Sequence, residues 1–126
     1  MLTTTAAWDL DVERGPDWLI VKVRRHRSGA RVAPLLATTL WELMEQHFTH
    51  RLVLELNEVS VLDDRLIEEL LDLHERICHR GGVMRVCGLS PQNRNKLLER
   101  HAADCFVPYT DREEAVHGAA LPHQPR

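Results

Sequence analysis

The chain has 126 residues, which is the size of one domain, and its 44% hydrophobic and 28% charged content is that of a globular protein with a packed core. A formal charge of −3 with scattered Lys and Arg residues argues against a nucleic-acid partner. The longest apolar runs, of about five residues, are far shorter than the roughly 20 that cross a bilayer, so no membrane association is predicted. Three widely spaced cysteines and the lack of a signal-peptide pattern predict reduced thiols in a cytoplasmic protein.

The first predicted elements form a β-hairpin. From residue 7 to residue 13 apolar and acidic side chains alternate, which is the period of a half-buried strand. The turn Gly15-Pro16-Asp17 leads into a second alternating segment over 18–24, so the two strands should pair antiparallel. Residues 1–6 precede the pattern and are expected to be flexible.

The hydrophobic period changes after the hairpin. Pro34 precedes apolar side chains at spacings of three and four, which predict an amphipathic helix through Leu36, Leu40, Leu43, Met44 and His47. The nearly continuous apolar segment over 52–56 then predicts a central strand that is covered on both faces.

The strongest predicted helix comes next. Asp63 and Asp64 open it, and Gly81-Gly82 ends it. Seven residues are expected on its core side: Leu66, Ile67, Leu70, Leu71, His74, Ile77 and Cys78. Because His74 and Cys78 fall on this apolar side, and because no metal-binding sequence motif is present, neither a metal nor a cofactor is expected.

The last third of the chain predicts four more elements. They are a strand over 83–87, a polar surface helix from Ser90-Pro91 to about residue 101, a short strand at 106–107, and a helix through Val116 that begins with a capping box at 110–113. The domain should therefore span 7–117, followed by a flexible tail over 118–126.

This element order predicts an α/β fold. The sheet should be mixed and mostly parallel, with four to five strands, an N-terminal antiparallel hairpin and about four helices. In such folds functional groups gather beyond the carboxyl ends of the strands, where the loop after the central strand delivers Asp63 and Asp64. Helix capping alone accounts for one such carboxylate, and two in succession favour a further role. An aspartate after a central strand is also found in receiver domains, where it is phosphorylated with the help of an acidic pair and a lysine. This chain lacks both at the corresponding positions, so a receiver domain is not predicted. No catalytic residues are predicted either.

The segment from Leu52 to Asp64 resembles the strand-and-loop signature of STAS domains, the domains of anti-sigma factor antagonists. The resemblance continues through 80–91 and 106–115, and it covers about residues 7 to 117. It implies a protein-binding domain rather than an enzyme. In such antagonists a serine at the start of the second helix is phosphorylated by an anti-sigma factor that is also a kinase, and phosphate blocks capture of that anti-sigma factor.

The sequence departs from this pattern at the phosphorylation position. Asp64 stands where the serine is expected, Arg65 and Leu66 replace the usual small residues, and Ser60 lies upstream in the loop. Three interpretations of Asp64 remain open. It imitates the phosphorylated state, it contacts a partner that has adapted to the charge, or it is only a helix-start charge in a domain whose interface lies elsewhere.

The resemblance and the acidic helix face together predict a partner-binding surface. Its expected residues are Asp63, Asp64, Arg65, Glu68, Glu69 and Asp72. The expected partner is an anti-sigma factor or a related kinase-like regulatory protein with a basic groove, and salt should weaken the association. The alternatives are a non-switching scaffold, a self-associating module such as a homodimer, and a small-molecule sensor.

Overall fold

The described strands form one sheet in which each strand lies beside its neighbour in the sequence. The computed structural model describes residues 2–4, 8–25, 36–100 and 108–117. The strands within these ranges are β1 (Leu2–Thr4), β2 (Trp8–Arg14), β3 (Leu19–Arg25), β4 (Arg51–Glu58), β5 (Val83–Cys87) and β6 (Pro108–Tyr109). β1, β2 and β3 pair antiparallel, and β3 through β6 pair parallel. The expected mixed α/β sheet, with an antiparallel hairpin and a parallel core, is confirmed.

Four helices lie in the described part of the chain, as expected. They are α1 (Leu36–Gln46), α2 (Asp64–His79), α3 (Pro91–Glu99) and α4 (Arg112–His117). Within the same ranges, none of these helices has both the length and the apolar character needed to span a membrane.

The main core lies between one face of the sheet and helices α1 and α2. The alternating residues Trp8, Leu10 and Val12 of β2 point into it, as their period predicts. A smaller core on the other face holds Trp18, Ile20, Val53, Cys87, Tyr109 and Ala115, the last from α4. β4 is therefore covered on both faces, and Cys87 is a buried core residue.

The core side of α2 differs in part from the prediction. Its buried residues are Leu66, Ile67, Leu70, Leu73 and Ile77. Leu73 was missed, because the buried stripe follows spacings of four, three and four from Leu66 to Ile77. Leu71 and His74 lie at the margin of this stripe and are only partly buried, and Cys78 is exposed. The prediction of Cys78 as a core residue was wrong.

The N-terminus also differs from the expectation. Leu2–Thr4 was expected to be flexible but forms β1, with Leu2 opposite Asp11 and Thr4 opposite Asp9. β-branched threonines favour extended backbone, and the open edge of β2 offers them backbone hydrogen-bond partners. This strand brings the sheet to six strands, one more than the largest number expected. The strand predicted at 106–107, the tail over 118–126 and Pro34 lie outside the described residues.

The helix starts after β5 follow local capping rules. Ser90 caps α3 as predicted, and its Oγ accepts a hydrogen bond from the Asn93 amide at 3.1 Å. The cap of α4 is Asp111 rather than Thr110. The Asp111 side chain accepts from the Glu114 amide at 2.9 Å, and Glu114 accepts from the Thr110 amide at 2.8 Å. The N-cap is thus one residue later than predicted, consistent with the stronger N-cap preference of Asp, and the Glu114 side chain bonds the amide before the cap rather than that of the cap itself.

Candidate functional site

The loop between β4 and α2 leaves the carboxyl end of the central strand and carries the two predicted aspartates. Val59 and Leu62 anchor this loop in the main core. Between them, the side chain of Val61 is largely exposed. The loop is therefore held at two buried residues three positions apart, and it begins with a turn in which the Val59 amide donates to the Leu56 carbonyl at 3.0 Å.

Asn93 of α3 fixes the conformation of this loop. Its side chain is 3% exposed and is the one buried polar side chain found in the described residues. Its Oδ1 accepts from the Leu62 amide at 3.0 Å, and its Nδ2 donates to the carbonyls of Val59 at 3.0 Å and Ser60 at 3.4 Å. An asparagine can satisfy all three backbone groups because it carries both a carbonyl and an amino group. Sequence reasoning missed Asn93 because α3 is otherwise polar; its spacing of four from buried Leu97 is the signal that could have identified it.

Asp63 is the N-cap of α2. Its Oδ1 accepts a hydrogen bond from the Leu66 amide at 2.8 Å, and its backbone is extended. This bond satisfies one of the amides that have no partner within the helix. The capping interpretation of Asp63 is therefore confirmed.

Asp64 is the first residue of α2, and its side chain is 67% exposed. Its Oδ1 lies 2.8 Å from Arg100 Nη1 and 3.6 Å from Lys96 Nζ. One turn later, Glu68 Oε2 lies 3.5 Å from Arg100 Nη2. Two carboxylates of α2 are thus opposed by two cations at the end of α3. Lys96 and Arg100 were not predicted from the sequence, because no local pattern places these two helices side by side.

The remaining predicted partner-binding residues also lie on the outer side of α2. Arg65, Glu68, Glu69 and Asp72 line a shallow, open groove. Glu69 is partly withdrawn from this surface, because its Oε1 accepts from the Ala37 amide in the first turn of α1 at 3.3 Å. The structure therefore places all six predicted residues along one helix, and Asp63 and Glu69 also have structural roles.

Gly88 directly follows β5, at the carboxyl end of the strand that neighbours β4. Its φ is 76°, and a Cβ there would lie 3.0 Å from the Cβ of Asn57 at the end of β4. The positive φ and this close approach both favour glycine. The Gly88 amide donates to the Thr110 carbonyl at 3.1 Å, which ties the ends of β4, β5 and β6 into one surface.

A separate polar network lies on the other face of the sheet. Arg112 of α4 donates to Glu55 Oε1 from Nη2 at 2.6 Å and from Nε at 3.1 Å, and it also donates to Glu13. The hydrogen bonds to Glu55 and then Glu13 raise the pKa of Arg112. Since Glu55 is only 14% exposed, this network serves to dock α4 on the sheet.

The two described cysteines lie in different environments. Burial, followed by the nearby Glu55 and Asp111 carboxylates, raises the pKa of the Cys87 thiol to about 12. Cys78 is exposed, with Sγ 3.5 Å from Nε2 of His74, whose pKa burial lowers. The described residues contain no group of three or more His, Cys, Asp or Glu side chains that could hold a metal ion. The arrangement around α2 offers charged surface rather than an assembled nucleophile or base.

Several solved structures share this fold. The chain has 20% identity and a TM-score of 0.70 with an anti-sigma factor antagonist (STAS) domain protein from Planctomyces limnophilus, over 88% of this chain and 97% of that one. An anti-sigma factor antagonist from Mycobacterium paratuberculosis gives 19% identity and a TM-score of 0.70, over 86% and 91% of the two chains. A chain of the stressosome, described as a signal integration and transduction hub, gives 12% identity and 0.66, over 86% and 94%.

These likenesses establish the STAS fold that the sequence resemblance predicted. No family profile matches the chain, and no curated protein sequence is significantly similar to it. At identities this low the likeness concerns the fold, so the function has to be argued from the surface of α2.

Proposed function

We propose that this chain is a protein-binding regulatory domain of the anti-sigma factor antagonist type, which acts by binding and not by catalysis. The observation that carries the proposal is the outer side of α2, where charged side chains surround the helix start on a STAS fold. Arg65, Glu68 and Asp72 are exposed along it. The proposed partner is an anti-sigma factor or a related kinase-like protein with a basic contact surface.

We further propose that the phosphorylation switch is lost rather than imitated. Asp64 has no hydroxyl that a kinase could modify, and its carboxylate faces Arg100 and Lys96. Phosphoserine carries about −1.5 to −2 charges at neutral pH, against one for a carboxylate. A single charge opposed by two cations is a poor imitation of that state. The domain would then be permanently competent to bind its partner, which would have adapted to the paired Asp64.

Isothermal titration against the anti-sigma factor kinases of the organism that encodes the chain tests the proposal. Asp72→Lys, on the exposed side of α2, should weaken binding about tenfold or more if the partner surface is basic. Glu113→Lys is the matched control, because it makes the same charge change on α4, on the opposite face of the sheet. Since paired surface charges are screened by salt, the difference between the two variants should shrink as ionic strength rises.

Two results would contradict this proposal. Equal affinities of the two variants would remove the α2 surface from the interface. Failure of every such kinase to bind would favour the alternative of a non-switching scaffold. Catalysis, by contrast, would be detected as ATP hydrolysis by the purified chain that Asp63→Ala abolishes.

A further inference from the structure

The C-terminus of α1 carries a backbone conformation that its side chain does not favour. Phe48 has φ of 55°, and it is the one non-glycine residue with positive φ in the described ranges. Its amide donates to the Glu45 carbonyl at 3.2 Å, and the next amide, of Thr49, donates to the Met44 carbonyl at 3.1 Å. These two bonds define a Schellman motif, in which glycine usually occupies the left-handed position.

α2 ends in the same motif, and there the left-handed residue is a glycine. Gly81 has φ of 73°; its amide donates to the Cys78 carbonyl at 3.0 Å, and the Gly82 amide donates to the Ile77 carbonyl at 2.9 Å. The chain therefore contains two equivalent helix ends, one with Gly81 and one with Phe48. A bulky side chain in this conformation lowers the stability of the fold, because its Cβ approaches the following carbonyl.

Phe48 gains almost no burial against the described part of the chain in exchange for this strain. Its side chain is 91% exposed, which is the largest exposure among the large hydrophobic residues that the structure describes. Strained residues on a surface are a reason to look for a function. An exposed aromatic ring at such a position is a suitable anchor for an interface, in which aromatic residues are enriched.

The loop that presents Phe48 is held in place on both sides. Glu45 and His50 flank it, and Glu45 Oε2 lies 2.9 Å from His50 Nε2. The His50 ring lies on Trp41 with centroids 5.4 Å apart. Arg80 lies 3.7 Å from Glu45 and 5.3 Å from the Trp41 ring centroid, and its neighbour on α2, Arg76, lies 4.8 Å from the same centroid. The ring of Phe48 is thus presented by an ordered surface, which reduces the entropy lost on binding.

We propose that Phe48 anchors a twofold interface between two copies of this chain. The Phe48 patch consists of Trp41, Glu42, Glu45, Phe48, Arg76 and Arg80. It carries two carboxylates on α1, one guanidinium group on α2 and one at the C-cap of α2, so its formal charges balance. Glu45 and Arg80 are paired with each other within the chain at 3.7 Å, so the exposed Glu42 and Arg76 are the charges that a twofold axis allows to meet between copies. This is the self-complementarity that such an interface requires.

This interface is centred at the other end of the sheet from the proposed partner-binding surface, and the two surfaces meet only where Arg76 follows Asp72 by one turn of α2. Phe48 lies before β4 and Arg80 lies before β5, so the patch is at the amino ends of the parallel strands. Asp64 lies after β4, at their carboxyl ends. A dimer formed through Phe48 would leave both copies of the α2 start accessible to a partner.

Sedimentation velocity of the full chain over a concentration series tests the proposal. The wild-type chain should dimerise reversibly, and Phe48→Ala should raise the dimer dissociation constant about tenfold or more. Leu98→Ala is the matched control, because Leu98 is also an exposed large hydrophobic residue but lies on α3. This control should dimerise like the wild type.

A second variant separates the interface from the backbone strain. Phe48→Gly should lose the dimer as Phe48→Ala does, but at concentrations where all chains are monomeric it alone should raise the urea midpoint. A monomeric wild-type chain at millimolar concentration would overturn the proposal, as would a dimer that survives Phe48→Ala. Neither outcome bears on partner binding, which the titrations of the Asp64 variants measure at the opposite end of the parallel strands.

Discussion

Arg100 at the end of α3 lies between Asp64 and Glu68 of α2, with Nη1 2.8 Å from Asp64 Oδ1 and Nη2 3.5 Å from Glu68 Oε2. It therefore ties the residue at the expected phosphorylation position to the neighbouring helix. Because these groups are exposed, the ion pairs contribute little to stability. Their importance lies in the charge that a partner meets.

Replacing Asp64 by serine should weaken partner binding, because it removes one negative charge and leaves Arg100 opposed, among the described residues, only by Glu68, on a surface proposed to meet a basic groove. Stability should fall by only about 0.3–1 kcal/mol, the interaction of a carboxylate with the helix dipole. Titration calorimetry of both proteins against the partner measures the effect, and Asp64→Asn is the control that removes the charge without adding a hydroxyl.

The sign of the change distinguishes the three interpretations of Asp64. Tighter binding by Asp64→Ser would mean that the aspartate imitates the phosphorylated, released state, which would contradict the proposed loss of the switch. Equal affinities would leave Asp64 as a helix-start charge only. Phosphorylation of Asp64→Ser by the kinase, and not of Asp64→Asn, would show that the position remains accessible despite Arg65 and Leu66.

Asn93 should be essential for the loop that presents the aspartates. Asn93→Ala removes three hydrogen bonds and leaves the Leu62 amide without its side-chain acceptor, so unfolding free energy should fall by about 2–4 kcal/mol. Urea denaturation provides the measurement. Asn95→Ala, at an exposed position of the same helix, is the control and should be close to neutral. A loss as small as that of the control would mean that the loop does not depend on Asn93.

The buried stripe of α2 predicts that alanine substitutions at neighbouring positions differ clearly in their effect on the free energy of unfolding. Leu70→Ala or Ile77→Ala should lower the free energy of unfolding by about 2–5 kcal/mol, because each creates a cavity in the main core. Cys78→Ala, at an adjacent exposed position, should change it by less than about 0.5 kcal/mol. Thermal unfolding of the three variants compares them. An unchanged melting temperature for Leu70→Ala would place the core side of α2 elsewhere.

The two described cysteines should react at different rates with a maleimide. Cys78 is exposed, whereas Cys87 is buried and its thiol has a pKa raised to about 12. In a Cys105→Ser background at neutral pH, mass spectrometry should find rapid labelling of Cys78 and labelling of Cys87 only after denaturant is added. Rapid labelling of Cys87 in the native protein would contradict its burial.

The raised pKa of Cys87 also predicts a pH dependence of stability. An unfolded thiol ionises at about pH 8.5, so above that pH the unfolded state releases a proton that the folded state retains. The contribution of Cys87 is therefore complete below about pH 8.5 and is lost as the pH rises towards 12. As the pH rises through this range, the urea midpoint of the wild-type chain should fall more steeply than that of Cys87→Ala. Identical slopes would mean that the Cys87 pKa is not raised.

The features predicted correctly from the sequence are those that depend on neighbouring residues. The alternation of Trp8, Leu10 and Val12 predicts which face of β2 is buried, because this pattern depends only on residues within the strand. Asp63 likewise caps a helix through an amide three residues away. The strand and helix order follows from such local patterns, which is why the fold could be recognised.

The features that the sequence analysis missed depend on which helices become neighbours. Asn93 bonds to Leu62 across 31 residues, and Arg100 bonds to Glu68 across 32. Neither pairing has a local signature, because an exposed arginine on one helix is compatible with many partners. The left-handed conformation of Phe48 was equally inaccessible, since helix ends that adopt it usually carry glycine.

The order of the strands in the sheet also bears on how the chain is made. Each strand pairs with the strand that precedes it in the sequence, so during synthesis every new strand finds its neighbour already present. Once the sheet is complete, its outer edges within the described residues belong to β1 and β6, which have three and two residues. Strands this short offer a poor template for another chain, and they cover residues 9–11 of β2 and residues 86–87 of β5, where a longer edge would otherwise be open.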